Sequence, residues 1–420
     1  MTNPPSDTSK DRSTEGLKVA EMVQSGRDQA EAIERAPGIY ENRGIGNSYL
    51  VTTAEGDVLV NAGTLGDARR GRELFRKVSG NPIRYIVLTQ SHANQFGGLE
   101  LYKTADNQVI AHRSYPGDRQ YSQALLPYYT RGSQRIFAGM TGGAKDILPT
   151  REVEPDLLID EHYALQLGER RFELFWTPGG ETRSALIVWL PEEKIALIGN
   201  LLGPLFGNHP NLNTMRGDKP RWALQFIDSV KTLRALNAEQ ILTGHEDIRG
   251  AERIKTELTR IIDSVQWVHD KTLEGMNAGT NLSTLMRTIK TPPELTLTEE
   301  YGKLAWNVRA IWHEYSGWFD PSRGTTELYG VRADSVAGDI VELAGGIDAL
   351  VRRATRYIDQ DKPLQALHLL DVALAAEPTS NAARAAKCDA LAKLLERTGG
   401  KNLWEKMWIS AAIRDTKPES

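Results

Sequence analysis

The residues best suited to chemistry directly follow one apolar run in the first quarter of the chain. Tyr85-Ile86-Val87-Leu88 is followed by Thr89-Gln90-Ser91-His92-Ala93-Asn94-Gln95 and then by Phe96-Gly97-Gly98. A β-branched apolar run that ends at polar residues predicts a buried strand with polar side chains gathered at its carboxyl end. We therefore expect His92 and its amide neighbours to form part of a polar site.

This stretch resembles the H-x-H-x-D-H metal-binding loop of the metallo-β-lactamase superfamily, in the form found in alkyl sulfatases, T-H-S-H-x-D-H-F-G-G. Gln90 and Gln95 replace histidines of that form, and Asn94 replaces its aspartate. The loop thus keeps the family's backbone frame, while amides replace most of its metal ligands. The matching residues are Thr89, Ser91, His92, Phe96, Gly97 and Gly98.

Further matches to the alkyl sulfatase pattern lie at the ends of other predicted strands. Thr177-Pro178-Gly179-Gly180-Glu181-Thr182 resembles the element whose glutamate binds metal, and His245 matches the last metal-binding histidine. Asn200 replaces an acid that bridges or binds the metals. Asn61 replaces the aspartate that supports the metal loop. The resemblance therefore implies the family scaffold with its acids repeatedly changed to amides.

A candidate substrate-binding element follows between residues 211 and 217. Asn211-Leu212-Asn213-Thr214-Met215-Arg216-Gly217 resembles the family's N-L-Y-T-x-R-G, whose arginine helps to hold the sulfate. His209 lies close to this element. The resemblance implies a small-molecule substrate with an anionic or polar group. The predicted substrate-binding residues are Gln90, Asn94, Gln95, Asn200, Asn211, Thr214 and Arg216.

The ligand set transferred from the family does not suit a pair of zinc ions. Zinc takes about four imidazole, thiolate or carboxylate ligands, and neutral amide oxygens are poor donors. We predict no cofactor, with at most one weakly bound ion at His92 and Glu181. Cys388 is the only cysteine, which excludes an intrachain disulfide and a thiolate-rich zinc site. The transferred set is Gln90, His92 and Glu181 for one ion and Asn94, Gln95 and His245 for the other, with Asn200 at the position of the bridging acid.

Three functions stay open, and we favour the first. In a metal-independent hydrolase or lyase, the Glu181 carboxylate would raise the basicity of His92, and His245 would be the partner acid. Amides would then donate to a developing oxyanion, and Arg216 would hold an anionic group. The second function is a pseudoenzyme that binds a small acidic ligand or, through its helical half, a protein partner. The third is a weak mononuclear zinc hydrolase.

Composition excludes several other classes. The chain has 420 residues and a net charge of −4, which favours neither nucleic acid nor an anionic membrane as a partner. No apolar run reaches the length of about 18 residues that a membrane span needs. Residues 1–12 contain no apolar segment typical of a secretory signal. The sequence predicts a cytoplasmic protein.

The order of predicted elements gives the domain organisation. We expect a flexible extension with a short amphipathic helix over residues 1–36, followed by a metallo-β-lactamase-type αββα sandwich over 37–250. Residues 113–150 read as a polar, aromatic loop, whose tyrosines either line a pocket or pack the loop. An α-helical dimerisation region of the alkyl sulfatase type is predicted over 251–396, which implies a homodimer. A C-terminal helix and tail complete the chain over 397–420.

Overall fold

The computed structural model describes residues 26, 28–137, 149, 151–320, 322 and 324–418. The strands are β1 (Ile33–Ala36), β2 (Ile39–Asn42), β3 (Ser48–Thr53), β4 (Gly56–Val60), β5 (Ile83–Val87), β6 (Gln108–His112), β7 (Leu157–Ile159), β8 (His162–Leu167), β9 (Arg170–Trp176), β10 (Leu186–Leu190), β11 (Ile195–Gly199), β12 (Gln240–Thr243) and β13 (Asp247–Arg249). The α-helices are α1 (Leu65–Val78), α2 (Ala93–Phe96), α3 (Tyr115–Ala124), α4 (Leu126–Phe137), α5 (Ala223–Ala235), α6 (Ala251–Asn277), α7 (Leu282–Thr288), α8 (Leu304–Ser316), α9 (Ala337–Leu343), α10 (Ile347–Asp359), α11 (Pro363–Ala376), α12 (Asn381–Arg397) and α13 (Leu403–Thr416).

Two mixed sheets form the centre of the N-terminal half. The first has the order β1-β2-β3-β4-β5-β6-β7, with antiparallel pairs up to β4 and parallel pairs from β4 to β7. The second has the order β13-β12-β11-β10-β9-β8, and only the β11–β12 pair is parallel. The β3–β4 hairpin turns at Ala54 and Glu55, and Gly56 at the start of β4 has a φ of +134°, which favours glycine.

Side chains that alternate along the strands divide the core into layers. Tyr49 and Val51 of β3 face the second sheet and share a core with Leu174 and Val188. Leu50 between them faces the opposite side, where helix α1 packs. Helices α5, α6 and α8 cover the outer face of the second sheet. These four layers confirm the predicted αββα sandwich followed by an all-α region.

The helical half packs on the sandwich and also has a core of its own. Helix α6 contributes to the core on the outer face of the second sheet, so that core continues beyond residue 250. Helices α9 to α12 form a separate core of small and aliphatic residues, among them Leu350, Leu370 and Ala390. Helix α13 packs back on the sandwich, because Trp404 and Met407 share a cluster with Ile136 of α4.

Two local predictions are wrong. The last residues of the helix that we expected to extend to residue 36 are not helical. Ile33–Ala36 instead forms strand β1, which pairs with β2 across the Pro37–Gly38 turn. Backbone hydrogen bonds to β2 therefore decide the conformation there. The loop expected over 113–150 contains helices α3 and α4, while residues 1–25 and 138–148 of the predicted segments lie outside the described residues.

Candidate active site

Asn61 supports the polar loop after β5. Its side-chain Oδ1 accepts hydrogen bonds from the backbone N of Thr89 at 2.8 Å and from Thr89 Oγ1 at 3.0 Å. An amide oxygen thus serves as the acceptor where the family has a carboxylate. This contact fixes the start of the loop that carries Gln90 and His92.

His92 lies between two carboxylates. Its Nε2 is 2.8 Å from Asp218 Oδ2, and its Nδ1 is 3.4 Å from Glu181 Oε2. Gln90 Nε2 also lies 3.1 Å from Nδ1. If Nδ1 carries a proton, it can donate to Glu181. If Nδ1 carries none, it can accept a hydrogen bond from Gln90. Burial alone would lower the pKa of His92, but the charge and hydrogen bond of Asp218, with the hydrogen bond of Glu181, raise it above 6.5.

Glu181 is the most heavily bonded acid of the site. Its Oε2 accepts from Asn200 Nδ2 at 3.1 Å, and its Oε1 accepts from the Tyr301 hydroxyl at 3.0 Å. Arg221 Nη1 lies 3.9 Å from Oε1. Burial would raise the pKa of Glu181, but the hydrogen bond from His92 and the charge of Arg221 hold it well below its usual range. Glu181 is therefore a carboxylate at neutral pH.

Two guanidinium groups flank Asp218. Nη2 of Arg216 is 3.7 Å and Nη2 of Arg221 is 3.8 Å from Asp218 Oδ2. Both Nη2 atoms are buried and have no hydrogen-bond partner. Burial would raise the pKa of Asp218, but His92 and the two arginines lower it far below its ordinary value. Two donors in this part of the site thus have unused hydrogen-bonding capacity.

The opposite part of the site is neutral. Gln95 Nε2 donates to Asn200 Oδ1 at 3.3 Å, and a Cβ at Gly244 would lie only 2.0 Å from that same oxygen. His245 follows Gly244, and its Nδ1 is buried without a partner. Burial lowers the pKa of His245 to about 4, against a weaker opposite effect of Glu181. His245 is therefore uncharged at pH 7, which does not suit the partner-acid role expected from the sequence.

Of the remaining predicted substrate-binding residues, Asn94 and Asn211 contact groups of the chain itself, whereas Thr214 has no partner. Asn94 Nδ2 points to the Ile45 carbonyl at 3.4 Å, towards the loop before β3. The Asn211 amide is used internally, since its oxygen accepts from Trp404 Nε1 at 3.1 Å and its nitrogen donates to the Asn213 carbonyl at 2.8 Å. Thr214 Oγ1 is buried and has no partner, which keeps it available to a ligand.

Sequence reasoning missed several residues of the site. Asp218 and Arg221 follow the recognised 211–217 element, so that element was a signal for them. Tyr301 lies 120 residues after Glu181 and carried no signal, because the helical half brings it to the site. The ring of Trp404 packs 5.8 Å from Tyr301 and lies 5.7 Å from the Arg216 guanidinium carbon. His209, also close in sequence, is buried, and burial lowers its pKa to about 4.

The donor set of the site does not fit a zinc pair. Glu181 is engaged by an amide, a phenol and a guanidinium, and the second carboxylate, Asp218, lies on the opposite ring nitrogen of His92. Because the two carboxylates lie at opposite ring nitrogens of His92, one ion bound to His92 could not contact both of them. Across the described part of the chain, no group of three or more His, Cys, Asp or Glu side chains could hold a metal ion.

Comparison with family models assigns the chain in two steps. Residues 42–245 match the metallo-β-lactamase superfamily, to which the chain belongs. Residues 282–415 match the alkyl sulfatase dimerisation family, which places the chain in the alkyl sulfatase branch. This second match includes helix α13, beyond the predicted boundary at residue 396. Within the described ranges, no helix has the length and apolar character needed to cross a membrane.

Curated relatives and a solved structure agree with this assignment. The chain is 26% identical over 336 residues to a linear primary-alkylsulfatase of Pseudomonas sp., covering 73% of this chain and 62% of the relative. It is 23% identical to an alkyl/aryl-sulfatase of Saccharomyces cerevisiae, covering 85% and 59%. The chain thus spans about three-fifths of the length of these relatives. The stereoselective inverting sec-alkylsulfatase Pisa1 of Pseudomonas sp. shares the fold, with a TM-score of 0.81 at 23% identity over 93% of this chain and 66% of that one.

Proposed function

We propose that the chain is a metal-independent hydrolase that cleaves a small anionic ester, with sulfate monoesters as the first candidates. The relatives named as alkylsulfatases support the substrate class. The observation that carries the proposal is a set of buried polar atoms without partners around Glu181. They comprise Nη2 of Arg216 and of Arg221 and Nδ1 of the neutral His245 ring.

These groups could divide the reaction between them. His245 accepts a proton from a water whose oxygen attacks the ester. Arg216 and Arg221 stabilise the charge on the oxygens of the anionic group. The ester bond breaks, and the leaving oxygen takes the bonding electron pair and a proton from His92. Asp218 and Glu181 raise the pKa of His92, which favours its protonated form before this step and its reprotonation from solvent afterwards.

A ligand-binding pseudoenzyme is the second candidate. Both ring nitrogens of His92 have partners, Asp218 at Nε2 and Glu181 or Gln90 at Nδ1. His92 must leave Asp218 before Nε2 can donate a proton to a substrate. A site saturated in this way favours binding without turnover.

Metal analysis combined with activity in chelator tests the proposal. Purified protein would be assayed against alkyl and aryl sulfates and carboxylic esters, with Glu181→Gln and His245→Asn as test variants. Glu294→Gln makes the same chemical change at an exposed position and serves as the control. We expect turnover that resists the chelator, is lost in both test variants and persists in the control.

Each alternative gives a different result. Ligand-induced stabilisation without turnover would favour the pseudoenzyme. One equivalent of zinc with chelator-sensitive turnover would favour the weak mononuclear hydrolase. Two equivalents of zinc per chain, with activity dependent on them, would contradict the proposed metal-independent chemistry.

We also propose that the chain forms a homodimer through its helical half. The match to the alkyl sulfatase dimerisation family supports this, as do large apolar side chains exposed in the single chain. Leu343 is 88% exposed, Tyr329 is 66% exposed and Val331 is 65% exposed. Light scattering should give the mass of two chains, and Leu343→Glu should shift the protein towards the monomer. A monomeric wild type would contradict this assignment.

A further inference from the structure

Asp218 lies where an anionic ligand would meet the positive charges of the site. One of its oxygens is 2.8 Å from His92 Nε2, 3.7 Å from Arg216 Nη2 and 3.8 Å from Arg221 Nη2. The two Nη2 atoms are too far from Asp218 for hydrogen bonds and have no other acceptor. A ligand oxygen that bound them would therefore lie close to the Asp218 carboxylate.

The charges of this cluster are nearly balanced. Arg216, Arg221 and protonated His92 are positive, whereas Glu181 and Asp218 are negative. Little water screens these charges, since the side chain of Arg221 is 7% exposed, that of Glu181 6% and that of Asp218 22%. With His92 protonated the cluster carries one net positive charge, and Asp218 is the residue that reduces it from two.

We propose that Asp218 is a specificity-determining residue that makes the site accept monoanionic esters and reject dianionic ones. This inference rests on the proposed function, because it concerns the same anion site. A sulfate monoester carries a single negative charge and would neutralise the cluster. A phosphate monoester has the same shape but is mostly a dianion at pH 7. Its second charge has no partner while Asp218 is ionised, and it repels that carboxylate.

Phenyl sulfate and phenyl phosphate are matched probes, because they differ mainly in charge. Equilibrium dialysis at pH 7, with quantification of the intact ester, gives the affinity of each. We expect wild type to bind phenyl sulfate more tightly. Asp218→Asn should change the ratio of affinities by about tenfold or more in favour of phenyl phosphate. Asp228→Asn makes the same change in net charge at an exposed position, with its side chain 75% exposed, and should leave the ratio unchanged.

Asp218→Ser is the second variant if Asp218→Asn does not fold, as judged by circular dichroism and thermal unfolding. An unchanged ratio in a folded Asp218 variant, or an equal shift in Asp228→Asn, would overturn the charge selection and leave the proposed hydrolysis standing. If wild type bound neither ester, both the charge selection and the anionic substrate class of the proposed function would be wrong.

Discussion

The two halves of the candidate site differ in the charge of the side chains at the family's metal-ligand positions. Around Glu181 and His92 the charges persist, and arginines and a further carboxylate balance them. Around Gln95 and Asn200 the charges are absent, and amides bond to each other. The ion pairs of Arg221 are with Glu181 and Asp218, which both belong to the first half. The pKa values of the two histidines accordingly move in opposite directions.

In the metal-independent site that we propose, this difference would explain how a buried acid is kept without a divalent cation. A buried carboxylate is strongly unfavourable unless opposite charge and hydrogen bonds compensate it. Glu181 has that compensation from Arg221, Tyr301 and Asn200. Where no guanidinium lies close enough to compensate a carboxylate, an amide in place of the acid avoids burying an unpaired charge. Substitutions that change one half at a time test this difference.

The largest effect should come from removing the central charge of the ionic half. Glu181→Gln leaves the Arg221 guanidinium, whose side chain is 7% exposed, with Asp218 at 3.8 Å as the remaining carboxylate among its contacts. We expect the free energy of unfolding in urea to fall by about 3 kcal/mol, since breaking a buried ion pair leaves a charge uncompensated. Glu294→Gln is the exposed control. A loss of less than about 1 kcal/mol would mean that the ionic half contributes little to stability.

Adding a charge to the neutral half should have the next largest effect. Asn200→Asp places a carboxylate where the amide now donates to Glu181 at 3.1 Å. Repulsion and burial raise the folded-state pKa of the introduced carboxyl above its unfolded value. The destabilisation is therefore absent below the unfolded pKa and full only above the raised folded-state pKa, about 2.5 kcal/mol at pH 8, and it is relieved as pH falls. Urea unfolding at pH 8 and pH 5 measures it.

Asn381→Asp, at the exposed start of helix α12, is the control for that substitution. It should show no such pH dependence. Equal stability of Asn200→Asp and wild type at pH 8 would contradict the account of the amide replacements.

The two histidines should give stability changes of opposite sign with pH. The folded-state pKa of His245 is lowered from 6.5 to about 4, so its contribution is present above 6.5 and is lost as pH falls through about 4. We expect about 2 kcal/mol of this loss by about pH 5, since each pH unit below 6.5 costs about 1.4 kcal/mol. The folded-state pKa of His92 is raised, so its contribution is present below 6.5 and is lost as pH rises through that higher value.

Unfolding curves of wild type, His245→Asn and His92→Asn over this pH range measure both effects. The advantage of wild type over His245→Asn should shrink on acidification, and its advantage over His92→Asn should shrink on alkalinisation. The same sign for both histidines would remove the distinction between the two halves.

The smallest effect should come from a single hydrogen bond to the ionic half. Tyr301→Phe removes the hydroxyl that donates to Glu181 Oε1 at 3.0 Å and keeps the ring packed on Trp404. We expect a loss of about 1.5 kcal/mol in the free energy of unfolding, typical of a hydrogen bond to a charged group. Tyr128→Phe, at a tyrosine that is 60% exposed, should be neutral. Equal values for the two variants would mean that Tyr301 acts only through its ring.

Much of the fold was predictable because its signals are local. The apolar run before Gln90, for example, predicted β5. Strand β1 and helices α3 and α4 were not predicted. Strand β1 depends on pairing with β2, and α3 places Tyr115 in a core that includes Phe96. Such non-local contacts leave no periodic pattern in their own segment.

The sequence by itself determined the superfamily, the branch and the chemical types at the old ligand positions, because short motifs at strand ends specify backbone and side chain together. It named His92, Glu181, Arg216 and His245. Only the tertiary structure decided their charge states, because these depend on neighbours distant in the chain. Arg221 and Asp218 come from the loop before α5, and Tyr301 comes from the helical half. Burial, which sequence position does not reveal, sets the pKa of His245 below that of a free imidazole.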